Sequence, residues 1–358
     1  MHLSRYMKFF PSQDRPDHFK LYSTIRGSIV LVPGDTLRAA QVGALSGAQA
    51  ETLVRDQMSL GRDVSLSFYG GEPLLSLGLI QDISSALLEA AETYQVKYNF
   101  GLVTNGTLLS RETAERLLPF GLTGAKFTLD GPHDTHDNQR PYASGAGSFD
   151  QIVENISAIW DIVPVQLGGN FRQDNYKDFP RLLDHLVSCG IPPEKLGKVQ
   201  FSPVTPQAGC TEYGSGCASS DEPWLIEALL HLRQEILERG FATNKLSASA
   251  CIAELEHNRV GNWEGLLYKC PAFMGWQGLS IGNLAQGVAD YGASHGIGNW
   301  QSNDCLDCPY LPLCFGGCRF LTLLQGRPLS ELDCRRDFFD ATLERYLQQD
   351  SDHPAPAR

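Results

Sequence analysis

Between residues 51 and 239 the chain alternates short apolar or β-branched runs with longer amphipathic runs, and this alternation constrains the fold more than any other feature. Strands that are separated by helices pair in parallel and carry the helices outside the sheet, so the pattern predicts an α/β domain. Right-handed crossovers would curl such units toward a barrel, and we predict a partial (β/α) barrel. The predicted strands are 64–69, 96–103, 125–129, 165–171 and 198–203, and the predicted helices are 51–60, 77–94, 111–118, 149–162, 179–189 and 222–239.

The ends of the chain follow other patterns. Residues 19–32 alternate as a hairpin around Arg26 and Gly27, and the following turn predicts a helix N-cap at Thr36. After Cys251 the regular periodicity stops, and Gly, Asn, Pro and Cys become frequent. We therefore predict four parts: an N-terminal hairpin segment (1–50), the partial barrel (51–250), a loop-rich metal-binding module (251–345) and a disordered tail (346–358).

Charge and composition exclude several classes of partner. The formal net charge of −12 disfavours nucleic acid, because phosphate binding needs clustered Lys and Arg. No apolar run approaches the roughly 20 residues of a membrane span, and the N-terminus lacks the apolar core of a secretory signal. We expect a cytoplasmic protein that binds neither nucleic acid nor membrane.

The first predicted strand of the barrel runs directly into Gly70, Gly71, Glu72 and Pro73. Barrel enzymes place their ligands at the carboxyl ends of the strands. Glycine lets a ligand approach the backbone, proline stiffens the turn, and a carboxylate accepts hydrogen bonds from an ammonium group. These four residues predict a site for an amino-acid-like ligand, and a solvated turn is the alternative.

Polar residues also follow the next two strands. Thr104 and Asn105 end the second strand, and Asp130 follows the third, ahead of Arg140. A carboxylate such as Asp130 can bind a pair of ribose hydroxyls, and a guanidinium such as Arg140 can pair with a carboxylate. We expect these residues on one rim of the barrel. Two histidines in the same loop are predicted to cap it rather than to catalyse: His133 and His136.

A run of cysteines near the C-terminus is the strongest motif. The chain has 10 cysteines, none of which precedes Cys189. In a reducing compartment such a run indicates metal ligation rather than disulfides. Four thiolates satisfy either a tetrahedral zinc ion or a [4Fe–4S] cluster. The run has the spacing C-x2-C-x5-C-x3-C followed by one more cysteine: Cys305, Cys308, Cys314, Cys318 and Cys334.

Taken together, these motifs resemble the radical S-adenosylmethionine (SAM) enzymes that modify peptides, with the geopeptide-type maturases closest in layout. The resemblance implies that residues 51–250 form the SAM-binding core, in which Gly-Gly-Glu-Pro binds the methionyl amine while later strand ends hold the methionyl carboxylate and the ribose. Arg172 is expected on the same rim. The residues to which the resemblance assigns SAM binding are Gly70, Gly71, Glu72, Pro73, Thr104, Asn105, Asp130, Arg140 and Asn170.

The cysteine-rich tail resembles the SPASM module of these enzymes, which implies auxiliary [4Fe–4S] clusters. One cluster would be held by four cysteines: Cys305, Cys308, Cys314 and Cys334. Cys270 and Cys318 would belong to a second cluster, for which the family has a further cysteine where this chain has Gly287. Three other cysteines could replace it, or the cluster could be absent or open-sited: Cys251, Cys217 and Cys210. For Cys189 we expect a buried, inert thiol.

The chain departs from the family at one decisive point. The C-x3-C-x2-C motif that holds the radical SAM cluster should precede Gly70, and no such triplet occurs in the sequence. Only five barrel strands are predicted where the family has six. We hypothesise that a segment between about Gly43 and Leu53, which would carry the first strand and the cluster loop, has been lost or lies outside this sequence. The radical SAM [4Fe–4S] cluster is expected only in the second case.

The resemblance implies a maturase that modifies a ribosomally synthesised peptide by a thioether or related crosslink. Its expected partners are a precursor peptide with a leader and a small reductant protein of the ferredoxin or flavodoxin type. The N-terminal hairpin could hold the leader by strand addition. Two alternatives stay open: a non-catalytic, cluster-bearing peptide-binding protein of the same fold, and a zinc-stapled binding module. No catalytic residue is predicted.

Overall fold

The computed structural model describes residues 7–11, 18–23, 28–33, 47–204, 222–248, 250–262 and 264–354, with side chains from residue 51 onward except Leu53. The chain divides into two compact units. The first unit contains Met1–Leu167, Ser188–Ile191 and Trp263–Gly265, and the second contains Gly168–Val187, Pro192–Asn262 and Leu266–Arg358.

Three N-terminal strands form an antiparallel sheet: β1 (Met7–Pro11), β2 (His18–Ser23) and β3 (Ser28–Pro33). The pairing of β2 with β3, from His18 opposite Pro33 to Ser23 opposite Ser28, confirms the predicted hairpin. Strand β1 was not predicted. The helix cap predicted at Thr36 lies outside the described residues.

The α/β part begins with a helix and then alternates strands and helices. Its strands form a five-stranded parallel sheet in the order of the sequence, β4-β5-β6-β7-β8, which confirms the predicted fold class and all five strands. In chain order the elements are α1 (Gly47–Ser59), β4 (Val64–Phe68), α2 (Leu77–Tyr94), β5 (Tyr98–Thr104), α3 (Arg111–Leu117), β6 (Leu122–Thr128), α4 (His133–Gln139), α5 (Phe149–Ile159), β7 (Val165–Phe171), α6 (Phe179–Ser188), β8 (Lys198–Pro203) and α7 (Pro223–Glu238).

The core of the first unit follows from the sequence periodicity. In β5, alternate residues such as Phe100 and Leu102 are buried. In α2 the buried residues recur three or four positions apart, as in Ile80, Ile83 and Leu87, which places one apolar face against the unit. Helix α4 was not predicted, because its polar sequence His133–Gln139 carries no apolar stripe.

One segment of the described chain, Pro73–Tyr94, is long and apolar enough to cross a membrane by length and composition. This corrects the expectation that no segment approaches such a span. A core helix passes the same test, and Ile80 and Leu87 of this segment are buried within the first unit. The segment is therefore a weak argument for a membrane span.

The C-terminal part of the second unit consists of short elements. A small antiparallel sheet contains β9 (Val260–Gly261), β10 (Leu266–Tyr268), β11 (Gly282–Asn283) and β12 (Gly287–Val288). It is followed by α8 (Asn303–Leu306), α9 (Leu311–Cys314), α10 (Arg319–Leu324) and α11 (Arg336–Asp352). Buried Tyr268, Phe273 and Leu329 form a small apolar core here, against which Cys270 packs.

The disordered tail predicted for residues 346–358 is wrong over its first part. Helix α11 continues to Asp352 because its Gln349 is buried and hydrogen-bonded within the second unit. The Gln349 side chain donates to the Leu230 carbonyl at 2.9 Å and accepts from the Arg233 guanidinium at 2.9 Å. Residues 355–358 lie outside the described part of the chain.

Candidate functional site

The Glu72 carboxylate connects the ends of two neighbouring strands, β4 and β5. It accepts hydrogen bonds from the Thr104 hydroxyl at 2.8 and 2.9 Å, from the Asn105 backbone N–H at 2.8 Å and from the Leu74 backbone N–H at 3.1 Å. Burial raises the pKa of Glu72, and these hydrogen bonds act in the opposite direction. The carboxylate that the sequence assigned to a ligand therefore holds the two loops together.

Gly70 and Gly71 present their backbone to solvent beside this carboxylate. Both have positive φ angles, 104° and 52°, which non-glycine residues rarely adopt, and both are exposed. The space where a Cβ atom would project is open at both positions. Their peptide groups are thus available to a ligand that approaches the end of β4.

The loop after β5 is fixed by its own polar groups. Buried Thr104 accepts a hydrogen bond from the Gly106 N–H at 2.9 Å, and the Asn155 side chain donates to the Gly106 carbonyl at 2.7 Å. The Asn105 side chain accepts from both the backbone and the hydroxyl of Thr107, at 2.9 and 2.8 Å. Sequence reasoning missed Asn155, since it lies 49 residues from its partner.

Asp130 and Arg140 form an ion pair across the loop and helix that follow β6. The Asp130 side chain is only 6% exposed, whereas the Arg140 side chain is 38% exposed. The sequence assigned Asp130 to the ribose and Arg140 to a carboxylate, and the structure brings the two side chains together instead of leaving both facing a ligand. Their assignment to SAM remains a prediction.

His136 holds this loop, as the sequence predicted. Its Nδ1 accepts the Asp130 backbone N–H at 3.0 Å, so its Nε2 carries the proton and donates to the Ser148 hydroxyl at 3.1 Å. That hydroxyl donates in turn to the Arg140 carbonyl at 2.8 Å. Burial lowers the pKa of His136 to about 4, so the ring is neutral near pH 7. His133 is half-exposed and lies 3.5 Å from Asp137.

The carboxyl ends of β4, β5 and β6 lie side by side in the parallel sheet. The predicted residues of the first unit are therefore brought together in three loops, 70–73, 104–107 and 130–140, which we call the strand-end loops. Asn170, in β7, and Arg172 belong to the second unit. The Arg172 backbone N–H donates to the Asn175 side chain at 2.7 Å.

Four cysteines of the second unit line one cavity of about 310 Å³: Cys251, Cys270, Cys314 and Cys318. The Cys270 sulfur lies close enough to those of Cys251 and Cys318 for their charges to interact. We call this the thiol cavity. Cys251 was among the cysteines that the sequence left open, and the structure places it beside Cys270 and Cys318.

Cys314 also lines the thiol cavity, but its electrostatic partners are Asp333 and Cys334. Arg336 links Cys308 to Cys334, because its guanidinium interacts with both thiols. Three of the four cysteines assigned to the first cluster are thus close in the structure. The fourth, Cys305, lies in α8, three positions before Cys308 and nine before Cys314 in the sequence.

Of the three remaining cysteines, the structure describes only Cys189. Cys189 is exposed, so the expected buried thiol is wrong: helix α6 ends at Ser188, and Cys189 follows it at the surface. Cys210 and Cys217 lie outside the described residues. Among the residues that the structure describes, no three His, Cys, Asp or Glu side chains converge on a point suited to a single metal ion.

Burial raises the pKa of the Cys270 thiol to about 11, and it also raises the pKa of Cys314 and of Cys318. Without a bound metal these thiols are therefore protonated near pH 7. Metal binding deprotonates a coordinating thiol and releases its proton. Several thiols with raised pKa values in one part of the chain are suited to metal ligation and poorly suited to nucleophilic chemistry.

The strand-end loops lie within a part of the chain that matches a known family. Residues 44–186 match the model of the radical SAM superfamily. Over these residues the chain is similar to a radical SAM domain. The matched range contains the three strand-end loops, Glu72 and the Asp130–Arg140 pair, together with the elements from α1 through most of α6.

Two solved structures share the fold of this chain. The anSMEcpe structure with bound AdoMet and the Kp18Cys peptide has a TM-score of 0.63 and 16% identity, covering 85% of this chain and 90% of that one. SuiB of Streptococcus suis has a TM-score of 0.54 and 17% identity, covering 80% of this chain and 70% of that one. At these identities the likeness shows the fold alone.

A curated relative shows a higher identity. The Fe-coproporphyrin III synthase of Methanosarcina barkeri is 24% identical over 271 residues, which cover 68% of this chain and 64% of the synthase. The chain thus spans less than two thirds of the length of that relative. An uncharacterized protein of Archaeoglobus fulgidus is 26% identical over 148 residues, or 41% of this chain and 30% of that protein.

The candidate binding residues differ in how well they fit the cofactors of radical SAM enzymes, which are SAM and iron–sulfur clusters. The strand-end loops fit SAM, since they offer open glycine peptides and a buried carboxylate paired with a half-exposed guanidinium. The late cysteines fit iron–sulfur clusters, because thiolates are the ligands such clusters need. The radical SAM cluster does not fit: no cysteine lies ahead of Cys189, and no other three residues replace the triplet in the described part of the first unit.

Proposed function

We propose that this chain comes from a radical SAM maturase that modifies a ribosomally synthesised peptide, and that the loop with the three cluster cysteines is a part that this sequence lacks. The main support is that one chain combines two features. The hydrogen bonds of Glu72 fix strand-end loops within the range that matches the radical SAM model, and a cysteine-rich tail follows. Structures with bound AdoMet and a peptide share the fold. A thioether or related crosslink is the proposed product.

The strand-end loops would hold SAM by their own groups. The open peptide groups of Gly70 and Gly71 would take the methionyl amine, while Glu72, Pro73, Thr104 and Asn105 keep these peptides in place. The Asp130–Arg140 pair offers a carboxylate for ribose hydroxyls and a guanidinium for the methionyl carboxylate. We assign the remaining predicted SAM-binding residue, Asn170, to the same role. Bound SAM supplies a sulfonium whose reductive cleavage yields a carbon radical.

No radical step is assigned to the residues of this sequence, because they do not hold the cluster that such a step requires. The intact mass of the protein purified from its natural host tests the proposed additional loop. A mass above 39.4 kDa, with the three cysteines found by peptide sequencing, supports the proposal. A mass of 39.4 kDa would favour the second candidate below.

The second candidate is a non-catalytic protein of the same fold that binds peptide and carries clusters. The absence of any cysteine before Cys189 favours it. SAM cleavage by the natural-host protein under dithionite separates the two candidates, since only the maturase forms 5′-deoxyadenosine. SAM bound without cleavage supports the second candidate, and no SAM binding by calorimetry contradicts both. A precursor peptide with a leader is the proposed partner in each case.

The relationship to the Fe-coproporphyrin III synthase suggests a porphyrin as the alternative substrate class. Titration of the purified chain with an iron porphyrin, followed by its visible absorbance, tests this directly. Saturable binding of the porphyrin with no binding of any peptide encoded near the gene would favour the porphyrin. The maturase proposal further expects a ferredoxin or flavodoxin as reductant and a cytoplasmic location.

A further inference from the structure

We propose that Cys251 is a ligand of a second iron–sulfur cluster, together with Cys270 and Cys318, and that buried ionic contacts beside each of the three cysteines hold them around the thiol cavity. This inference rests on the proposed function only in assuming that the tail carries clusters. The sequence alone left Cys251 equivalent to Cys210 and Cys217. The contacts within the second unit support Cys251 directly.

The shape and lining of the thiol cavity support a cluster. Its volume of about 310 Å³ is far larger than a single ion requires, and apolar side chains make up much of the remaining wall: Ile252, Phe273, Leu313, Phe320 and Phe339. An apolar shell limits solvent access to a cluster and tunes its reduction potential. Thiols that line a space of this size fit a group larger than one ion.

A buried ion pair connects the segments that carry Cys251 and Cys318. Cys251 precedes the short turn Ile252–Glu254, and Cys318 precedes helix α10, which begins at Arg319. The Glu254 carboxylate pairs with the fully buried Arg319 guanidinium, which also donates to the Gly296 carbonyl at 3.0 Å. The pair fixes the two cysteines in relation to each other, since each lies at most three residues from a member of it.

Lys269 connects the segment of Cys270 to the same turn. Its side chain is fully buried, and its ammonium group donates to three backbone carbonyls that follow the Cys251 turn, those of Leu255, Glu256 and Asn258. The Asn258 side chain donates back to the Lys269 carbonyl at 2.7 Å. Burial lowers the pKa of Lys269, and such a buried cation persists only because these acceptors surround it.

Asp333 lines the thiol cavity and lies beside both groups of cysteines. The Cys318 backbone N–H donates to the buried Asp333 carboxylate at 3.0 Å, and Asp333 directly precedes Cys334. Cys314 interacts with Asp333 and Cys334 on that side. We therefore assign Cys314 to the first cluster, although it also lines the thiol cavity, and assign Cys251 to the second.

The test compares alanine variants of the full chain after anaerobic purification or reconstitution, with iron, acid-labile sulfide and the EPR spectrum of the reduced protein as readouts. The wild-type chain should hold about eight irons in two clusters, and Cys251→Ala should hold about four. The double variant C251A/C270A should also hold about four, because both residues serve one cluster, whereas C251A/C334A should hold almost none. Cys189→Ala is the matched control and should keep the wild-type content.

The four irons that C251A retains, with the EPR signal of the first cluster, would show that the tail still folds. Wild-type iron content and spectrum in C251A would overturn the proposal, as would a wild-type chain with only about four irons that C251A leaves unchanged. If C314A loses iron and adding C251A to it causes no further loss, Cys314 belongs to the second cluster, and that result would also overturn the proposal. None of these outcomes depends on SAM cleavage, so a failed maturase assay leaves the assignment standing.

Discussion

The Thr104 hydroxyl lies 2.8 Å from one oxygen of the Glu72 carboxylate and 2.9 Å from the other. Because Thr104 ends β5 and Glu72 follows β4, this contact couples neighbouring strand ends. The same hydroxyl accepts the Gly106 N–H at 2.9 Å, so one side chain orders both loops. The glycine peptides proposed to bind the methionyl amine are adjacent to this contact.

Thr104→Val should therefore destabilise the first unit and weaken SAM binding. The substitution keeps the shape of the side chain but leaves the half-buried Glu72 carboxylate and the Gly106 N–H each without one partner, at a cost of about 1–3 kcal/mol. Urea denaturation and calorimetric titration with SAM measure the two effects. Thr104→Ser keeps the hydroxyl and should retain SAM affinity. Equal affinities of the Val and Ser variants would contradict the role of this hydrogen bond.

Arg140→Gln should lower both stability and SAM affinity, since it removes the cation paired with the buried Asp130 carboxylate. We expect a loss of about 1–3 kcal/mol, below the usual cost of breaking a fully buried pair because Arg140 is partly exposed. Arg111→Gln is the matched control. Its ion pairs with Glu115 and Asp161 are exposed, so it should lower stability far less than Arg140→Gln does and leave SAM binding unchanged.

His136 should make the stability of the first unit depend on pH. Its pKa is about 4 in the fold, below the value of an unfolded chain, so stability is lost as pH falls, when the unfolded state takes up the proton first. Between pH 7.5 and pH 5 the expected loss is about 2 kcal/mol. His136→Asn should remove this dependence, and His133→Asn, on the same helix, should keep it. Urea titrations of all three proteins at both pH values test this. If the account is wrong, the free energy of unfolding will change by the same amount between pH 7.5 and pH 5 in all three.

Arg319→Met should destabilise the second unit, because it leaves the Glu254 carboxylate without its buried cation, at a cost of about 3–5 kcal/mol. The double variant E254Q/R319M removes both charges and should recover part of that stability. We expect the single variant to lose iron from the thiol cavity before it loses the iron of the first cluster. A single variant as stable as the wild type would contradict the role given to the ion pair.

The sequence predicted the sheet because the signals of its strands are local. Runs such as 165–171 and 198–203 are apolar and bounded by turns, and the structure has both strands over the same residues. Helix α4 escaped prediction because its residues His133–Gln139 are polar, and its one buried side chain, His136, is held by hydrogen bonds to Asp130 and Ser148 that no periodicity reveals. Tertiary contacts of Gln349 likewise order a polar segment that composition alone assigned to disorder.

At the candidate site the sequence identified the residue types but not their partners. Glu72, Asp130 and Arg140 were predicted to face a ligand, and the structure shows that each first contacts another residue of the strand-end loops. Cys251 could not be placed from spacing, because Arg319 and Lys269, which fix its segment, are distant in sequence. Long-range pairs of buried charges leave no local pattern.

The measurement that tests the account most directly is the amount of iron, sulfide and zinc per chain after anaerobic purification. Thiolates that bind two clusters predict about eight irons with matching sulfide in this chain, and about twelve if the natural protein includes the triplet loop. Absorbance near 400 nm should accompany the iron. Stoichiometric zinc without iron, or cysteines found as disulfides, would contradict the account.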